Sequence, residues 1–289
     1  MRSSAIVQHR ELGMVTRAPQ LFHRRNIAMI KTCTLFVLGF AGALGAQAAP
    51  AKPSPAKPAI VLVHGAFADA SGFSSVIRIL QKDGYFVTAV QNPLSSFTDD
   101  VATTKRLIDA QTGPVVVVGH SYGGAVITTA AAGNPNVKAL VYLAAFGPDS
   151  AEPIGAYLEK YPTQLGTSLR PDAAGFLYMD RALFHSVFAG DLPLTEAEVA
   201  AAAQKPIHGS AFGASSPLVA WKTIPSWYVV AQDDRALNPN LERFYAKRMG
   251  ATTTEIKSSH VVFISHPQAV ARLIEQAAGA ASTNRVGIR

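Results

Sequence analysis

Residues 119–123 read Gly-His-Ser-Tyr-Gly and place Ser121 in the spacing G-x-S-x-G. The valine run Val115–Val118 precedes this segment, and small, mostly apolar residues follow at 125–132, a pattern that predicts a strand, a sharp turn and a helix. Such a turn exposes the serine hydroxyl at a helix start, where backbone N–H groups stabilise a developing negative charge. We therefore predict that Ser121 is a nucleophile.

A serine hydroxyl attacks well only when a histidine takes its proton and a carboxylate orients that histidine. His260 follows the last predicted strand, and we predict that it is the base. Asp234 lies just beyond the apolar strand Trp227–Ala231, at the edge of the sheet where the serine is expected, and it is the candidate acid. Asp233 beside it and Asp149, after an earlier strand, remain alternatives.

Four other histidines have less direct interpretations. His64 is expected to be buried and hydrogen-bonded in a structural role. His266 precedes Pro267 at the predicted start of the final helix and is interpreted as a helix-entry residue. His185 and His208 lie in the middle of the chain, where they either line a pocket or lie on the surface.

The loop after the first predicted strand, residues 63–69, reads Val-His-Gly-Ala-Phe-Ala-Asp. A tight loop at this place directs a backbone N–H towards the reacting oxygen. We predict that the N–H groups of Ala66 and Tyr122 form an oxyanion hole, with Phe67 as the alternative to Ala66. Neither donor depends on its side chain.

These residues require a sheet to position them. Apolar runs of strand length alternate with helical segments, and they are Ile60–Val63, Phe86–Val90, Val115–Val118, Ala139–Leu143 and Trp227–Ala231. A last strand is predicted at Thr252–Lys257. Uninterrupted apolar strands separated by helices indicate an α/β protein with a mostly parallel central sheet and helices on both faces.

The stretch 146–217 interrupts this alternation. It contains helical pieces such as 195–204, and several aromatic residues among glycines and prolines. We interpret it as an inserted helical cap, whose apolar side chains either form a substrate pocket or only pack the cap onto the sheet. The domain is predicted to span 59–279, followed by a tail at 280–289.

The composition excludes several classes of protein. Hydrophobic residues make up 48% and charged residues 16% of the 289 positions, as in a globular rather than a disordered chain. The single cysteine excludes a disulfide scaffold and a cysteine-based zinc site. The sequence contains no phosphate-binding glycine loop, dinucleotide fingerprint or metal-binding motif, so we predict no cofactor and no metal.

The formal charge of +7 is concentrated near the N-terminus, because residues 1–48 hold six basic residues and one acidic residue, against 20 and 18 in the remainder. We therefore predict no nucleic-acid partner. The basic stretch, the apolar run Thr32–Ala46 and the small residues Ala46-Gln47-Ala48 are typical of an export signal. We predict a signal peptide at 1–48, a Pro-rich tether at 49–58, and a periplasmic or secreted protein without a permanent membrane span.

The predicted signal leaves two alternatives open. Met29 is an alternative start, and Arg24-Arg25 faintly resembles a twin-arginine motif, so both Sec and twin-arginine export remain. Cys33 lies inside the apolar run and would be removed with the signal. The mature chain would then contain no cysteine, which suits an oxidising compartment.

The segments His64-Gly65-Ala66, Gly119–Gly124 and Ser259-His260, together with Asp234, resemble the α/β-hydrolase superfamily over residues 59–279. Within it the chain is most similar to the esterase branch that contains plant methylesterases, hydroxynitrile lyases and bacterial carboxylesterases. This resemblance implies the α/β-hydrolase fold and a catalytic serine, acid and histidine in that chain order. The serine argues against epoxide hydrolases and haloalkane dehalogenases, which use an aspartate at its position.

Two positions differ from the pattern of the hydroxynitrile lyases. Those enzymes resemble one another in carrying a threonine where Gly65 stands and a lysine where Val261 stands. The resemblance therefore implies a carboxylesterase-type serine hydrolase that cleaves small-molecule carboxylic esters through an acyl-enzyme. A cofactor-free perhydrolase or acyltransferase, and a non-catalytic ligand-binding protein on the same scaffold, remain alternatives. The sequence gives no indication of the oligomeric state.

Overall fold

The computed structural model describes residues 57–283, so the predicted signal peptide, most of the tether and residues 284–289 of the tail lie outside the described residues. Its strands are β1 (Ala59–Val63), β2 (Val87–Val90), β3 (Val115–His120), β4 (Val137–Leu143), β5 (Leu169–Pro171), β6 (Phe176–Met179), β7 (Ile207–His208), β8 (Ser226–Ala231) and β9 (Thr252–Ile256). Its α-helices are α1 (Ser74–Lys82), α2 (Phe97–Asp109), α3 (Tyr122–Ala130), α4 (Leu165–Ser168), α5 (Arg181–Phe188), α6 (Leu194–Ala203), α7 (Pro239–Met249), α8 (Val262–Ser265) and α9 (Pro267–Thr283).

A six-stranded sheet forms the centre of this part of the chain, in the order β2-β1-β3-β4-β8-β9, and all its neighbouring strands are parallel. Strands β3 and β8 are buried along their whole length. A strand covered on both faces needs apolar residues at nearly every position, which is why these strands read as continuous apolar runs. The predicted α/β fold with a parallel central sheet is confirmed.

Helices flank this sheet. Helix α1 packs against α9, which also contacts β3 and β4, and α2 packs against α3, which contacts β1 and β3. Because parallel strands end at the same edge of a sheet, the turns that follow β1, β3, β8 and β9 come together at one edge. That edge contains the candidate residues of the sequence analysis.

Helix α7 follows one of these turns, and its ends carry the expected cap residues. The Asn238 side chain accepts a hydrogen bond from the N–H of Asn240 at 2.9 Å, and Pro239 stands in the first turn, where its missing N–H has no cost. Gly250 ends the helix with a φ of 61°, a conformation that glycine adopts without strain. The first turn of α7 is therefore fixed close to the loop that contains Asp234.

The chain between β4 and β8 forms the cap, which contains α4, α5 and α6 together with an antiparallel sheet in the order β5-β6-β7. The predicted helix at 195–204 corresponds to α6. The small sheet has no sequence signal, because its strands have only two to four residues and β5 is largely exposed. The cap is therefore mixed in structure and contains more than the predicted helices.

The end of the described chain is helical. Helix α9 continues to Thr283, beyond the predicted domain end at residue 279, in an alanine-rich segment with high helix propensity. Among residues 57–283, no helix combines the length and the apolar character needed to cross a membrane.

Candidate active site

Ser121 lies at the turn between β3 and α3, as predicted. Its backbone has φ 53° and ψ −125°, a strained conformation for a residue with a side chain. Three backbone hydrogen bonds hold it: its N–H donates to the carbonyl of Leu143 (3.1 Å), and its own carbonyl accepts from the N–H groups of Gly124 (2.9 Å) and Phe146 (3.0 Å). The surrounding chain therefore fixes the position of the serine.

Two glycines make this turn sterically possible. A Cβ atom at Gly65 would lie 2.6 Å from the Cβ of Ser121, and one at Gly123 would lie 2.5 Å from the carbonyl oxygen of Val63. The loop after β1, the serine and the first turn of α3 thus pass one another at distances that exclude side chains. A threonine at position 65, as in the hydroxynitrile lyases, would displace the serine of this chain.

His260 and Asp234 form a buried pair at the same edge of the sheet. His260 Nδ1 lies 2.5 Å from Asp234 Oδ2, and both side chains are at most 2% exposed. The second carboxylate oxygen, Oδ1, accepts hydrogen bonds from the N–H groups of Ala236 (2.7 Å) and Leu237 (2.9 Å). Because Nδ1 donates to the carboxylate, Nε2 is the nitrogen that can accept a proton.

The two alternative acids lie elsewhere. Asp233 is exposed to solvent, and its backbone N–H donates to the carbonyl of Ser258. Asp149 forms an ion pair with Lys222. The structure therefore brings Asp234, rather than either alternative, to His260.

Ser121 and His260 line one cavity beneath the cap, together with Ala66. The other walls are apolar and come from both the core and the cap: Phe67, Phe146, Leu165, Phe188, Phe212 and Leu237. The serine is 6% and the histidine 2% exposed. A reacting group in this cavity would be largely shielded from water, which strengthens electrostatic interactions inside it.

The predicted oxyanion donors lie next to the serine. Ala66 lines the cavity, and Tyr122 is the first residue of α3, where a backbone N–H has no partner within the helix. Phe67, the alternative donor, has a φ of 59°. The Tyr122 hydroxyl donates to Asp100 Oδ2 at 2.8 Å, so this side chain fixes the start of α3.

Asp100 is a buried carboxyl group that the sequence analysis missed. Besides the Tyr122 hydroxyl, it accepts a hydrogen bond from the N–H of Leu94 at 2.8 Å. Burial raises the pKa of Asp100, and these two hydrogen bonds oppose the rise. Asp100 stands in the first turn of α2, where an acidic residue normally indicates only a favourable interaction with the helix dipole, so its burial could not be predicted from the sequence.

His64 has the structural role that was expected. Its Nδ1 donates to the carbonyl of Gly65 at 2.8 Å, and its Nε2 accepts from the N–H of Asn92 at 3.0 Å. Burial lowers the pKa of His64 to about 4, so the ring is neutral and these bonds define its tautomer.

His120 supports the candidate base from below. Its Nε2 donates to the backbone carbonyl of His260 at 3.0 Å, and the two rings have centroids 4.8 Å apart. Burial, followed by the proximity of His260, lowers the pKa of His120 well below its usual value. A neutral His120 therefore fixes the loop that contains His260 without adding a charge next to it.

The other histidines within residues 57–283 lie outside this cavity. His185 contacts the carbonyl of Leu192 through Nε2 at 3.0 Å, and His208 Nδ1 lies 2.7 Å from Ser210 Oγ. His266 lies immediately before α9, in agreement with its interpretation as a helix-entry residue.

The cap is bonded to the loop that contains His260. Ser259 Oγ donates to Asp191, which lies between α5 and α6. A second link is the hydrogen bond from Lys205 Nζ to the carbonyl of Asn92. The cap is thereby hydrogen-bonded to the core at the loop after β9 and at the loop after β2.

Glu242 contributes a second buried carboxyl group close to Asp234. It extends from the first turn of α7, it is fully buried, and its Oε2 accepts a hydrogen bond from the N–H of Ala231 at 2.9 Å. Burial, followed by the charge of Asp234, raises the pKa of Glu242 well above its usual value, so the group is held in its neutral form. Glu242, like Asp100, stands in the first turn of a helix, so the sequence did not predict that it is buried.

The parallel sheet flanked by helices, with a serine at a strained strand–helix turn and a histidine–aspartate pair in the same cavity, defines the α/β-hydrolase fold. The chain belongs to the alpha/beta hydrolase family, whose sequence model matches residues 60–273. The resemblance inferred from the motifs is confirmed.

The chain is similar to known members of several kinds. It is 26% identical over 247 residues to the alpha/beta hydrolase nvfD of Aspergillus novofumigatus, covering 78% of this chain and 98% of that protein. A pyrethroid hydrolase from Sphingobium faniae JZ-2 superposes with a TM-score of 0.67 at 23% identity, covering 78% and 99% of the two chains. Polyneuridine aldehyde esterase superposes with a TM-score of 0.67 at 18% identity, covering 76% and 98%. At these identities the solved structures bear on the fold alone.

The replacement Glu242→Gln is expected to remove part of the pH dependence of stability. A neutral buried carboxyl ionises when the chain unfolds above its ordinary pKa, so the free energy of unfolding falls by about 1.4 kcal/mol per pH unit until the raised folded-state pKa is reached. Glutamine keeps the acceptor for the Ala231 N–H and cannot ionise. The free energy of unfolding of the variant minus that of the wild type should therefore increase from about pH 5 to about pH 8 in urea titrations.

The control for this measurement is Glu198→Gln, which changes an exposed acid on α6. It should leave the pH dependence of the free energy of unfolding unchanged. A difference between Glu242→Gln and wild type that stays constant over the same pH range would show that Glu242 is ionised in the folded protein.

Proposed function

We propose that this protein is a serine esterase that hydrolyses small carboxylic esters through an acyl-enzyme. The proposal depends on one observation: Ser121 and His260 line the same cavity, and a buried Asp234 holds the Nδ1 side of that imidazole. This placement supports Ser121 as nucleophile, His260 as base and Asp234 as orienting acid of an acyl transfer.

In the first step Ser121 Oγ bonds to the ester carbonyl carbon while His260 Nε2 takes the hydroxyl proton. The carbonyl π electrons move to the oxygen, and the N–H groups of Ala66 and Tyr122 donate hydrogen bonds to the resulting oxyanion. Asp234 stabilises the imidazolium that forms. The hydrogen bonds from Ala236 and Leu237 keep the carboxylate in place as the charge develops.

In the second step the oxyanion collapses and the bond from the carbonyl carbon to the alcohol oxygen breaks. His260 Nε2 returns its proton to that oxygen, the alcohol leaves, and the acyl group remains on Ser121. Water then attacks the acyl carbon with His260 as base, and the same sequence in reverse releases the carboxylic acid. The described residues supply each proton acceptor and donor that these steps need.

The apolar walls of the cavity support an uncharged ester as the substrate, because a charged group there would lose its hydration without an opposite charge to compensate. Two similar structures carry the names of a pyrethroid hydrolase and of polyneuridine aldehyde esterase. Their names agree with the proposed reaction.

We also propose that the protein is exported. The support comes from the sequence of residues 1–48, where a basic stretch precedes a short apolar run and a small-residue cleavage site. These residues lie outside the described part of the chain.

Ser121→Ala is expected to lower kcat for p-nitrophenyl acetate by at least about 10⁴-fold, because no other hydroxyl replaces the attacking atom. Alanine keeps the Cβ atom, so the turn and the melting temperature should change little. Turnover at the wild-type rate would refute the proposed nucleophile. Product analysis of the wild type with added alcohol or peroxide would show whether water is the preferred acceptor.

Replacing the two adjacent aspartates separately is expected to give very different losses. Asp234→Asn places an amide against His260 Nδ1 and favours the wrong tautomer, so kcat should fall by about 10³–10⁴-fold. Asp233→Asn changes an exposed side chain and should leave kcat within about twofold of wild type. Equal losses in the two variants would contradict the assignment of Asp234 as the acid.

Expression of the full chain in a Gram-negative host is expected to yield a mature protein that begins at Ala49, outside the cytoplasm. Intact-mass measurement of the periplasmic fraction and the medium tests this. Ala48→Arg introduces a large charged residue at the cleavage position and should leave the precursor uncleaved, whereas Ala46→Gly should be processed normally. Full-length wild-type protein in the cytoplasm would contradict export.

A further inference from the structure

We infer that Asp191 of the cap is a positioning residue for His260, because its carboxylate holds Ser259 and with it the loop that carries the base. The inference rests on the proposed esterase function and extends it. The cap then takes part in setting the reactive geometry, in addition to covering the cavity.

The loop that carries His260 lies between β9 and α8, and the core holds it by its backbone. The N–H of Asp233 donates to the carbonyl of Ser258 at 3.0 Å. His120 Nε2 donates to the carbonyl of His260 at 3.0 Å. These two bonds lie on either side of Ser259, whose own restraint comes from the cap.

The cap reaches this loop through a side-chain hydrogen bond. Ser259 Oγ donates to Asp191 Oδ1. Ser259 is only 5% exposed, so water is a poor substitute for this acceptor. The other carboxylate oxygen of Asp191 lies 3.9 Å from His266 Nδ1, which is beyond hydrogen-bonding distance. Ser259, rather than His266, is therefore the hydrogen-bonding partner of Asp191 in the core.

The turn that presents Asp191 is itself fixed. The N–H of Leu192 donates to the carbonyl of Ala189 at 3.1 Å, which closes the turn around Asp191. His185 Nε2 donates to the carbonyl of Leu192 at 3.0 Å, and the Leu192 side chain packs into the hydrophobic core. The carboxylate thus comes from an ordered turn whose position can restrain a neighbour.

The same part of the cap also contacts the imidazole ring. Phe188 ends α5, three residues before Asp191, and its ring centroid lies 4.8 Å from that of His260. Phe188 is 3% exposed. The cap therefore contacts this loop at two adjacent residues, at the hydroxyl of Ser259 and at the ring of His260.

These contacts matter for proton transfer. Asp234 holds His260 only at Nδ1, and a ring held at one nitrogen can still turn about that bond. The direction of the backbone at 259–260 determines where Nε2 points, and a misplacement of about 1 Å at a reacting group costs about 100-fold in rate. Loss of the Asp191 bond should therefore slow the chemical steps more than it weakens substrate binding.

The test removes each side of the bond. Asp191→Ala and Ser259→Ala should each lower kcat for p-nitrophenyl acetate by about tenfold, a moderate loss because the Asp191 side chain is 25% exposed, and leave KM within about twofold. Asp191→Asn keeps an oxygen that accepts from Ser259 and should retain kcat within about threefold of wild type.

The double variant Asp191→Ala/Ser259→Ala distinguishes one shared interaction from two separate disturbances. Both single variants remove the same hydrogen bond, so the double variant should be about as slow as either single variant. Two independent effects would multiply to about 100-fold. Melting temperatures of all variants verify that each one is folded when its kcat is measured.

The controls come from the groove that Asp191 lines, which Asp233 and Ser186 also line. Asp233→Ala removes an exposed carboxylate there and reports the effect of losing a negative charge near His260. Ser186→Ala removes an exposed hydroxyl on α5. Both controls should keep kcat within about twofold of wild type.

Three results would overturn the inference although ester hydrolysis itself stands: wild-type kcat in Asp191→Ala and Ser259→Ala, an effect on KM alone, or multiplied losses in the double variant. Absence of wild-type turnover would instead refute the proposed function and the inference with it.

Discussion

The hydrogen bond between His260 and Asp234 is the interaction on which the proposed chemistry depends. It joins the loop after β8 to the loop after β9, and both side chains are buried away from water. The backbone N–H groups of Ala236 and Leu237 satisfy the second carboxylate oxygen. A carboxylate whose two oxygens are both hydrogen-bonded can remain in the interior, whereas one with an unpartnered oxygen would carry a large desolvation cost.

Three further buried side chains also hold segments of the candidate active site in place through hydrogen bonds. Asp100 holds the Tyr122 ring, His120 holds the backbone of His260, and Glu242 holds the end of β8 at Ala231. Each of these groups is buried and each bonds to an element that contributes a candidate catalytic group. Polar groups fixed in this way keep dipoles oriented before any substrate arrives, which is how enzyme sites stabilise developing charge.

Much of the fold could be predicted because fully buried parallel strands read as continuous apolar runs. The turn that carries the serine could be predicted because it has the spacing G-x-S-x-G. Parallel strands end at one edge, so the meeting of Ser121 with His260 was also predictable in outline. The choice between Asp233 and Asp234 was not, since both follow the same strand and only burial distinguishes them. Glu242 stands in a first helical turn, where an acid is usually exposed, so no pattern could indicate that it is buried.

The cap is a continuous piece of chain between β4 and β8, whereas Ser121, Asp234 and His260 all come from turns outside it. Six of the ten residues that line the cavity lie outside this segment, and four lie within it: Ala66, Phe67, Ser121, Ala236, Leu237 and His260 belong to the core, and Phe146, Leu165, Phe188 and Phe212 to the cap segment. Insertions or exchanges within this segment can thus change what the cavity accepts, provided that they spare Asp191 and Phe146, which hydrogen-bond to Ser259 and to the Ser121 carbonyl. Substrate specificity can therefore diverge through changes in the cap segment, while the proposed catalytic residues are encoded outside it.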